Sequence, residues 1–529
     1  MATDPAVIAA FLARSWAPLP DFKGMDAEQA QAFIKRITGR PLAARTPPRL
    51  WQLQGTAAAL YAKCCLLLYD MQLGKTKMAL DTVEHLKATG MWKGTGFVIA
   101  HSPIGMETWA AQAAEHSNLT VRVCHTDPEE LFAAIADGVD LIVMTWSGMQ
   151  RVFCEKRLNR KKQPTLYLNK GFVAEVAKCF SLCIIDEIHK AKNPYSLWHE
   201  MAAELTRHCE FAYGLTGTLL NRDPNALWAQ MFLIDRGERL GYSYAFFEAC
   251  FSKWAMDYAI GRRMPTFDKT KLPILAERLA TCSITYERKE TGAAIAVQHG
   301  VVRLRMSDEQ LEAYQNCLGE IIQAGNEQFD TEASFVRLRQ ISSGYLPFHD
   351  GEGTKRVLRF KKDVKFEWLE DFLKEMPADM SFIIFHEFTH SGLLLTRLLE
   401  KMKISHRWMY GGTTAAADKQ SVIDFQAKRA RCFVTNSASG GTSITLNAAD
   451  YVLFFETPVS PITRAQAEAR PNAERGERPL FVDDMVCSPT ERRVLEFIAE
   501  GRDLMAELKS SGTSRKSFFT SLLDKKGIT

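Results

Sequence analysis

Short apolar runs recur along the chain at intervals that leave room for one helix between each run and the next. From about residue 46 to 235 the runs are Cys64–Asp70, Gly96–Ser102, Asp140–Trp146, Phe180–Glu187 and Phe211–Gly217, while Lys75–Ala88 and Trp109–His116 between them have helical patterns. Runs rich in Ile, Val, Leu and Phe that alternate with helices read as strands buried on both faces of a parallel sheet. A second series starts near residue 356, with runs at Met380–Glu387, Ser405–Gly411, Arg431–Ser437 and Asp450–Thr457 and helical patterns at Ser391–Met402 and Lys419–Lys428. The fold class expected is α/β, with two parallel sheets flanked by helices. Between the series, Leu227–Gly241, Asp308–Gln328 and Ala333–Gly344 read as helix. The organisation expected is a lobe over 46–235, a helical insertion over 236–355, a second lobe over 356–500, and appendages at 1–45 and 501–529.

Composition narrows the class. The 529 residues are 46% hydrophobic and 24% charged with 32 Gly and 20 Pro, which excludes disordered and collagenous chains and supports more than one core. No stretch approaches the 18 consecutive apolar residues of a bilayer span. The opening MATDPAVIAAFLARSW has an acidic residue before a short apolar run and no basic segment, so a secretory signal is not expected. The expected location is cytoplasmic, nucleoid-associated or host cytoplasm if viral, and nuclear only if eukaryotic. Twelve scattered cysteines without paired CxxC spacing read as buried thiols of a reducing compartment, and Cys64-Cys65 and Cys179/Cys183 lack the second pair that zinc needs. A net charge of +4 means that any nucleic-acid contact must be concentrated locally.

Candidate chemistry begins where the first run ends. Asp70-Met71-Gln72-Leu73-Gly74-Lys75-Thr76 joins a strand to a helix, the context in which backbone N–H groups and a helix N-terminus face a phosphate. Lys75 is placed to reach the β- and γ-phosphates and Thr76 to ligate Mg²⁺. Tyr69 stands where the first glycine of the complete G-x-x-x-x-G-K-T pattern belongs. After the run Ser181–Ile185 come Asp186-Glu187-Ile188-His189, adjacent carboxylates at a strand's C-terminal end. Asp186 suits the water shell of Mg²⁺, and Glu187 suits orienting and deprotonating an attacking water. Together these features point to nucleotide hydrolysis, with ATP and Mg²⁺ as cofactors.

With these residues in view, the chain resembles the superfamily 2 helicases and, more narrowly, the Swi/Snf-type DNA-dependent ATPases of compact microbial or viral type. The resemblance runs in order from residue 48 to about 500. Pro48–Gly55 resembles L-R-x-Y-Q-x-x-G, which implies Gln52 as the adenine-reading residue. Ala100–Pro103 with Trp109 resembles motif Ia, and Met144–Trp146 motif Ib. Asp186–His189 resembles the D-E-x-H box, and Leu215–Asn221 with Leu227-Trp228 resembles motif III. Leu338–Ile341 resembles the L-R-Q-I segment, Ser439–Asp450 motif V, and Gln466–Arg470 with Arg475-Gly476 motif VI. The resemblance implies two RecA-like lobes, with the motif VI arginines reaching the γ-phosphate as fingers. It further implies nucleic-acid contacts at Ser102, Thr145 and Ser439, and coupling by His189, Thr216, Thr218, Gly441 and Gln466. The partner implied is duplex DNA, the activity translocation along it, and the state monomeric, with no membrane.

Departures are specific. Gln72, Ser443 and Thr445 replace family Gly, Gly and Asn, and the first two motif VI arginines are five apart instead of three, which leaves the finger open among Arg470, Arg475 and Arg478. His386-Glu387-Phe388-Thr389-His390 satisfies H-E-x-x-H but follows a strand and falls on motif IV, so zinc is not expected there. Residues 151–170 carry seven Lys or Arg against one Glu; they read either as a solvated hairpin or as a phosphate-contacting loop through Arg157, Lys161 and Lys162. The alternatives are a strand-separating helicase on RNA or single-stranded DNA, the motor of a restriction or defence system, and a non-hydrolysing nucleic-acid binding module.

Overall fold

The computed structural model describes residues 4–70, 73–158, 164–217, 224–257, 262–291, 297–323, 331–349, 354–438, 444–472 and 479–501. The chain forms two compact units, Met1–Ala294 and Ile295–Thr529.

The first unit contains strands β1 (Cys64–Tyr69), β2 (Thr95–Ala100), β3 (Val121–Val123), β4 (Leu141–Thr145), β5 (Cys154–Leu158), β6 (Pro164–Leu168), β7 (Phe180–Asp186), β8 (Phe211–Thr216), β9 (Ser252–Asp257), β10 (Arg262–Phe267) and β11 (Ser283–Tyr286). Seven form one sheet in the order β11-β1-β8-β7-β2-β4-β3, with every pairing parallel. The apolar runs form this sheet because each is covered on both faces. In β2, Phe97 and Ile99 enter one core while Val98 and Ala100 enter the other, and all four are fully buried. Burying one such Phe or Ile is worth about 1.5–3 kcal/mol. With β1, β8, β7 and β2 adjacent and parallel, their C-terminal ends release the phosphate turn, Thr216, Glu187 and His101 along one sheet edge.

Residues 1–45, expected as an appendage, instead join this unit's core. The helix Ala27–Thr38 opens on an Asp26/Gln29 capping box and ends on Gly39 in the left-handed region. It delivers Phe33 and Ile34 into the cluster that holds Leu53, Leu60 and the β1 residues Cys65 and Leu67. The stretch 236–355, expected as a helical insertion, is divided between the units. It supplies the β9–β10 hairpin and β11 to the first unit, with β11 pairing on β1. To the second it supplies β12 (Val297–Arg303) and the helices Asp308–Gln323 and Thr331–Ser342.

The second unit adds β13 (Tyr345–His349), β14 (Lys355–Arg359), β15 (Phe382–His386), β16 (His406–Met409), β17 (Cys432–Asn436), β18 (Tyr451–Phe454) and β19 (Leu480–Val486). Its six-stranded parallel sheet has the order β12-β19-β18-β15-β17-β16. Phe382, Ile384, Cys432, Val434 and Leu453 fill one core, while Tyr314, Leu318, Phe335, Leu338 and Ile341 of the two helices pack with Phe497 in another. All twelve cysteines are free thiols. Among the described residues no helix is long and apolar enough to cross a membrane.

Candidate active site

The phosphate turn leaves β1 and feeds the helix Lys75–Ala88 through Gly74, whose φ of +82° lies in the left-handed region. A second reason for glycine is space: a Cβ at Gly74 would overlap Gln52 Nε2. Gln52 is held against the turn because its Nε2 donates to Leu73 O at 3.2 Å while its Oε1 accepts from Arg49 N at 2.9 Å. Trp51 Nε1 donates to the same carbonyl at 3.2 Å, and Tyr69 OH donates to Trp51 O at 2.9 Å. The expected adenine-reading glutamine and the turn are thus one hydrogen-bonded assembly.

Lys75 Nζ donates to Tyr69 O at 2.7 Å and Asp70 O at 3.3 Å. Burial lowers its pKa, opposed by the charges of Glu187, Asp186 and Asp70. An ammonium that is partly desolvated and bonded to neutral carbonyls is prepared to exchange them for anionic oxygens.

Glu187, 3% exposed, has φ +50° and ψ 54°, a conformation that costs a non-glycine residue about 1 kcal/mol or more. Its Oε2 lies 3.1 Å from His189 Nδ1 and accepts from Thr216 Oγ1 at 3.3 Å; His189 Nδ1 and Thr216 Oγ1 are themselves 3.0 Å apart. Burial pushes its carboxyl pKa up, but the His189 hydrogen bond and the charge of Lys75 outweigh this and hold it below the usual range. A carboxylate kept ionised and fixed by two side chains can orient a water and receive its proton. Asp186 ends β7 with Oδ2 3.3 Å from both His101 Nδ1 and Trp109 Nε1. A carboxylate only 13% exposed, gripped through one oxygen and near enough to Lys75 for its charge to act there, is a hard oxygen donor of the kind that suits Mg²⁺.

Of the residues expected to contact nucleic acid, Ser102 is half-buried and caps the helix Pro103–His116 by accepting from Gly105 N at 3.0 Å. Thr145 caps Trp146–Phe153 in the same way, accepting from Gly148 N at 2.9 Å, but is only 4% exposed. Within the basic segment the described strands β5 and β6 pair antiparallel, with Arg157 exposed and paired to Glu155 at 2.5 Å. Lys161, Lys162, Thr218, Gln72, Ser439, Gly441, Arg475 and Arg478 lie outside the described residues.

In the second unit, Gln466 is half-buried on the helix Pro461–Ala469 and Arg470 is buried just beyond it. Arg470 Nη2 donates to Ser437 O at 3.0 Å, whereas Nε and Nη1 have no hydrogen-bond partner among the described residues. Burial lowers its pKa to about 10. The H-E-x-x-H pentapeptide spans a strand end and a helix start: His386 closes β15 and His390 sits in the helix Thr389–Lys401. The two histidines do not share one helix face.

Two polar centres escaped sequence reasoning. His101, in the position of motif Ia, reaches Asp186; only the register of β2 beside β7 reveals it. Arg464 Nη2 donates to Asp484 Oδ2 at 2.8 Å and Nη1 to Oδ1, Nε donates to Glu468 at 2.6 Å, and the guanidinium lies 3.7 Å above the Phe454 ring. The i,i+4 spacing of Arg464 and Glu468 was its available signal.

Comparison with known proteins matches residues 50–344 to the SNF2-related domain and residues 364–472 to the helicase conserved C-terminal domain. The chain is 20% identical over 451 residues to a Bacillus subtilis (strain 168) protein named for ATP-dependent helicase/translocase activity, covering 82% of this chain and 45% of that one. It is 23% identical over 458 residues to an ISWI chromatin-remodeling complex ATPase of Saccharomyces cerevisiae, covering 82% and 37%. A protein of Acyrthosiphon pisum secondary endosymbiont phage 1 is 20% identical over 474 residues, covering 84% of this chain and 94% of its own length. The chain therefore spans less than half the length of the first curated relatives it matches. A solved Sulfolobus solfataricus SWI2/SNF2 ATPase core in complex with dsDNA aligns over 91% of this chain and 96% of that one, at 18% identity and a TM-score of 0.39.

Proposed function

The chain belongs to the SNF2-related family of helicase-type ATP hydrolases, and from that premise we propose that it is a DNA-dependent motor. It hydrolyses ATP, translocates along duplex DNA, and so remodels protein–DNA or branched-DNA structures. The observation that carries this reading is the gathering on one sheet edge of Lys75, Asp186 and the Glu187–His189–Thr216 cluster, with the Ser102 cap one residue from His101.

In this reading Gln52 takes the adenine and Lys75 exchanges its carbonyl partners for the β- and γ-phosphates. The N–H groups after Gly74 face the same anion. Thr76 and Asp186 would hold Mg²⁺, which would supply charge neutralisation at the phosphates. Glu187 orients the attacking water and takes its proton, while Arg470 and Arg475 serve as cations for charge that develops on the γ-phosphate. His189 and Thr216, bonded to Glu187 and to each other, sense the state of that carboxylate and pass it on with Thr218, Gly441 and Gln466. Ser102, Ser439 and the helix that Thr145 caps meet the DNA backbone, with Arg157, Lys161 and Lys162 as added phosphate contacts.

ATP hydrolysis measured without polymer and with duplex DNA, single-stranded DNA or RNA tests the reading. Duplex stimulation is expected, without displacement of an annealed strand. Lys75→Ala should reduce hydrolysis by about 100-fold or more, since it removes a transition-state cation. Stimulation by single strands alone would turn the reading to a strand-separating helicase, and absence of hydrolysis would leave only a binding module.

A further inference from the structure

His101 stands between two groups with different tasks. Its side chain is 1% exposed, with Nδ1 3.3 Å from Asp186 Oδ2 and Nε2 3.1 Å from Ser102 Oγ. An ionised carboxylate only accepts, so Nδ1 carries a hydrogen; in the tautomer where it is the ring's one hydrogen, Nε2 is an acceptor and the Ser102 hydroxyl donates to it. Ser102 Oγ in turn accepts from Gly105 N at 3.0 Å. Polar contacts therefore run without a break from the start of the helix Pro103–His116 to the carboxylate at the end of β7. A second link runs beside them, because Lys190 Nζ, three residues past Glu187, donates to His101 O at 3.2 Å.

We propose that His101 is a positioning residue that transmits occupancy of the DNA-backbone site at Ser102 to the Asp186 carboxylate. The inference rests on the proposed function, because it takes Ser102 as a phosphate contact. A phosphate oxygen at this helix N-terminus is a stronger acceptor than an imidazole nitrogen. When it arrives, Ser102 turns its hydroxyl hydrogen from Nε2 to the phosphate. No proton changes owner; one hydrogen bond is exchanged for another. The ring, released at one end, settles onto Asp186, shortening a 3.3 Å contact toward the roughly 2.7–2.9 Å of a charge-assisted bond. Asp186 becomes more firmly fixed only when the track is occupied, so that polymer binding raises the turnover rate more than nucleotide affinity.

The test compares wild type with His101→Ala and His101→Asn, using hydrolysis rates with and without a saturating short duplex and the anisotropy of the same duplex when labelled. Asn can reproduce the donor to Asp186 but is too short to meet Ser102 as well. The DNA-stimulated rate of His101→Ala should fall about tenfold or more, the worth of a hydrogen bond to a charged group. His101→Asn should recover part of the basal rate while its stimulation ratio stays near that of His101→Ala. Duplex affinity should remain within about twofold in both variants, because neither removes a phosphate contact. A stimulation ratio in His101→Ala equal to that of wild type overturns the inference, as does full recovery of stimulation in His101→Asn. Hydrogen exchange gives a readout that needs no nucleotide or metal. Duplex DNA alone should change exchange over residues 182–189 in wild type but not in His101→Asn, while residues 101–110 respond in both. No response at 182–189 in wild type also overturns it. A wild-type chain that no polymer stimulates removes the proposed function itself, a failure distinct from a stimulated wild type with equally stimulated variants.

Discussion

Both units end a parallel sheet on a polar cluster, but they treat its charges in opposite ways. In the first unit Lys75 is bonded to carbonyls, Glu187 to His189 and Thr216, and Asp186 to His101 and Trp109. In the second, Arg470 is buried with two of its nitrogens unpartnered among the described residues, and Arg339 is 5% exposed with Nε likewise unpartnered. Glu387 lies at the same edge, where burial, opposed by Arg339, pushes its carboxyl up to about 7. Arg470 keeps one partner in Ser437 O and Arg339 one in Thr457 O, so among the described residues each buried guanidinium is only partly satisfied, an arrangement that costs the fold stability. The first edge ties each charge to side-chain or carbonyl partners; the second leaves guanidinium nitrogens without partners among the described residues.

The largest expected effect breaks the first edge. Glu187→Gln keeps the shape but cannot take a proton, so hydrolysis should fall about 10²–10⁴-fold with nucleotide affinity nearly unchanged, as steady-state rates and fluorescent-nucleotide titration would show. Because the folded-state pKa of Glu187 is lowered, its stabilising contribution is complete above the ordinary carboxyl range and is lost only on acidification below it. Between pH 5 and 7, hydrolysis should therefore show no fall from this group. Arg470→Met separates the edges further: hydrolysis should drop about 10²-fold through the lost cation, while the thermal midpoint rises by about 2 °C or more through removal of a buried charge that is only partly satisfied among the described residues. A midpoint that falls would place Arg470 among groups satisfied by their own unit. The smallest effect concerns Glu387. Its raised pKa means that the folded chain keeps a proton the unfolded chain releases, so stability declines as pH rises from about 4.5 to about 7. Glu387→Gln should gain on wild type by up to about 1.4 kcal/mol for each pH unit between about 5 and 7 in urea unfolding. A difference that does not vary with pH would remove Glu387 from the comparison.

The apolar runs were legible because strands covered on both faces need continuous hydrophobic residues, and β1, β2, β4, β7 and β8 all have them. The phosphate turn and the Asp186–His189 box were legible for a related reason: each is a short contiguous segment whose backbone and side chains work together. What failed was local information at sheet edges. β11 has four residues, and β12 has only half-buried and exposed positions, so neither stands out until β1 and β19 pair with them. Residues 1–45 looked like an appendage because Phe22, Phe33 and Ile34 are sparse along the chain, although they converge in space.

The sequence by itself determined the α/β class and the two series of strands, and it singled out Lys75, Thr76, Asp186 and Glu187 as candidates beside strand ends, since hydrophobic period and motif spacing are local properties. Only the tertiary structure decided that the boundary falls within 236–355, that Gln52 leans on the turn at Gly74, that Thr145 is spent on a buried helix cap, and that His101 joins Ser102 to Asp186. Each of these depends on which strands are neighbours and in what register. Residues far apart in the chain, such as His101 and Asp186, are set 3.3 Å from one another by pairing that no local pattern encodes.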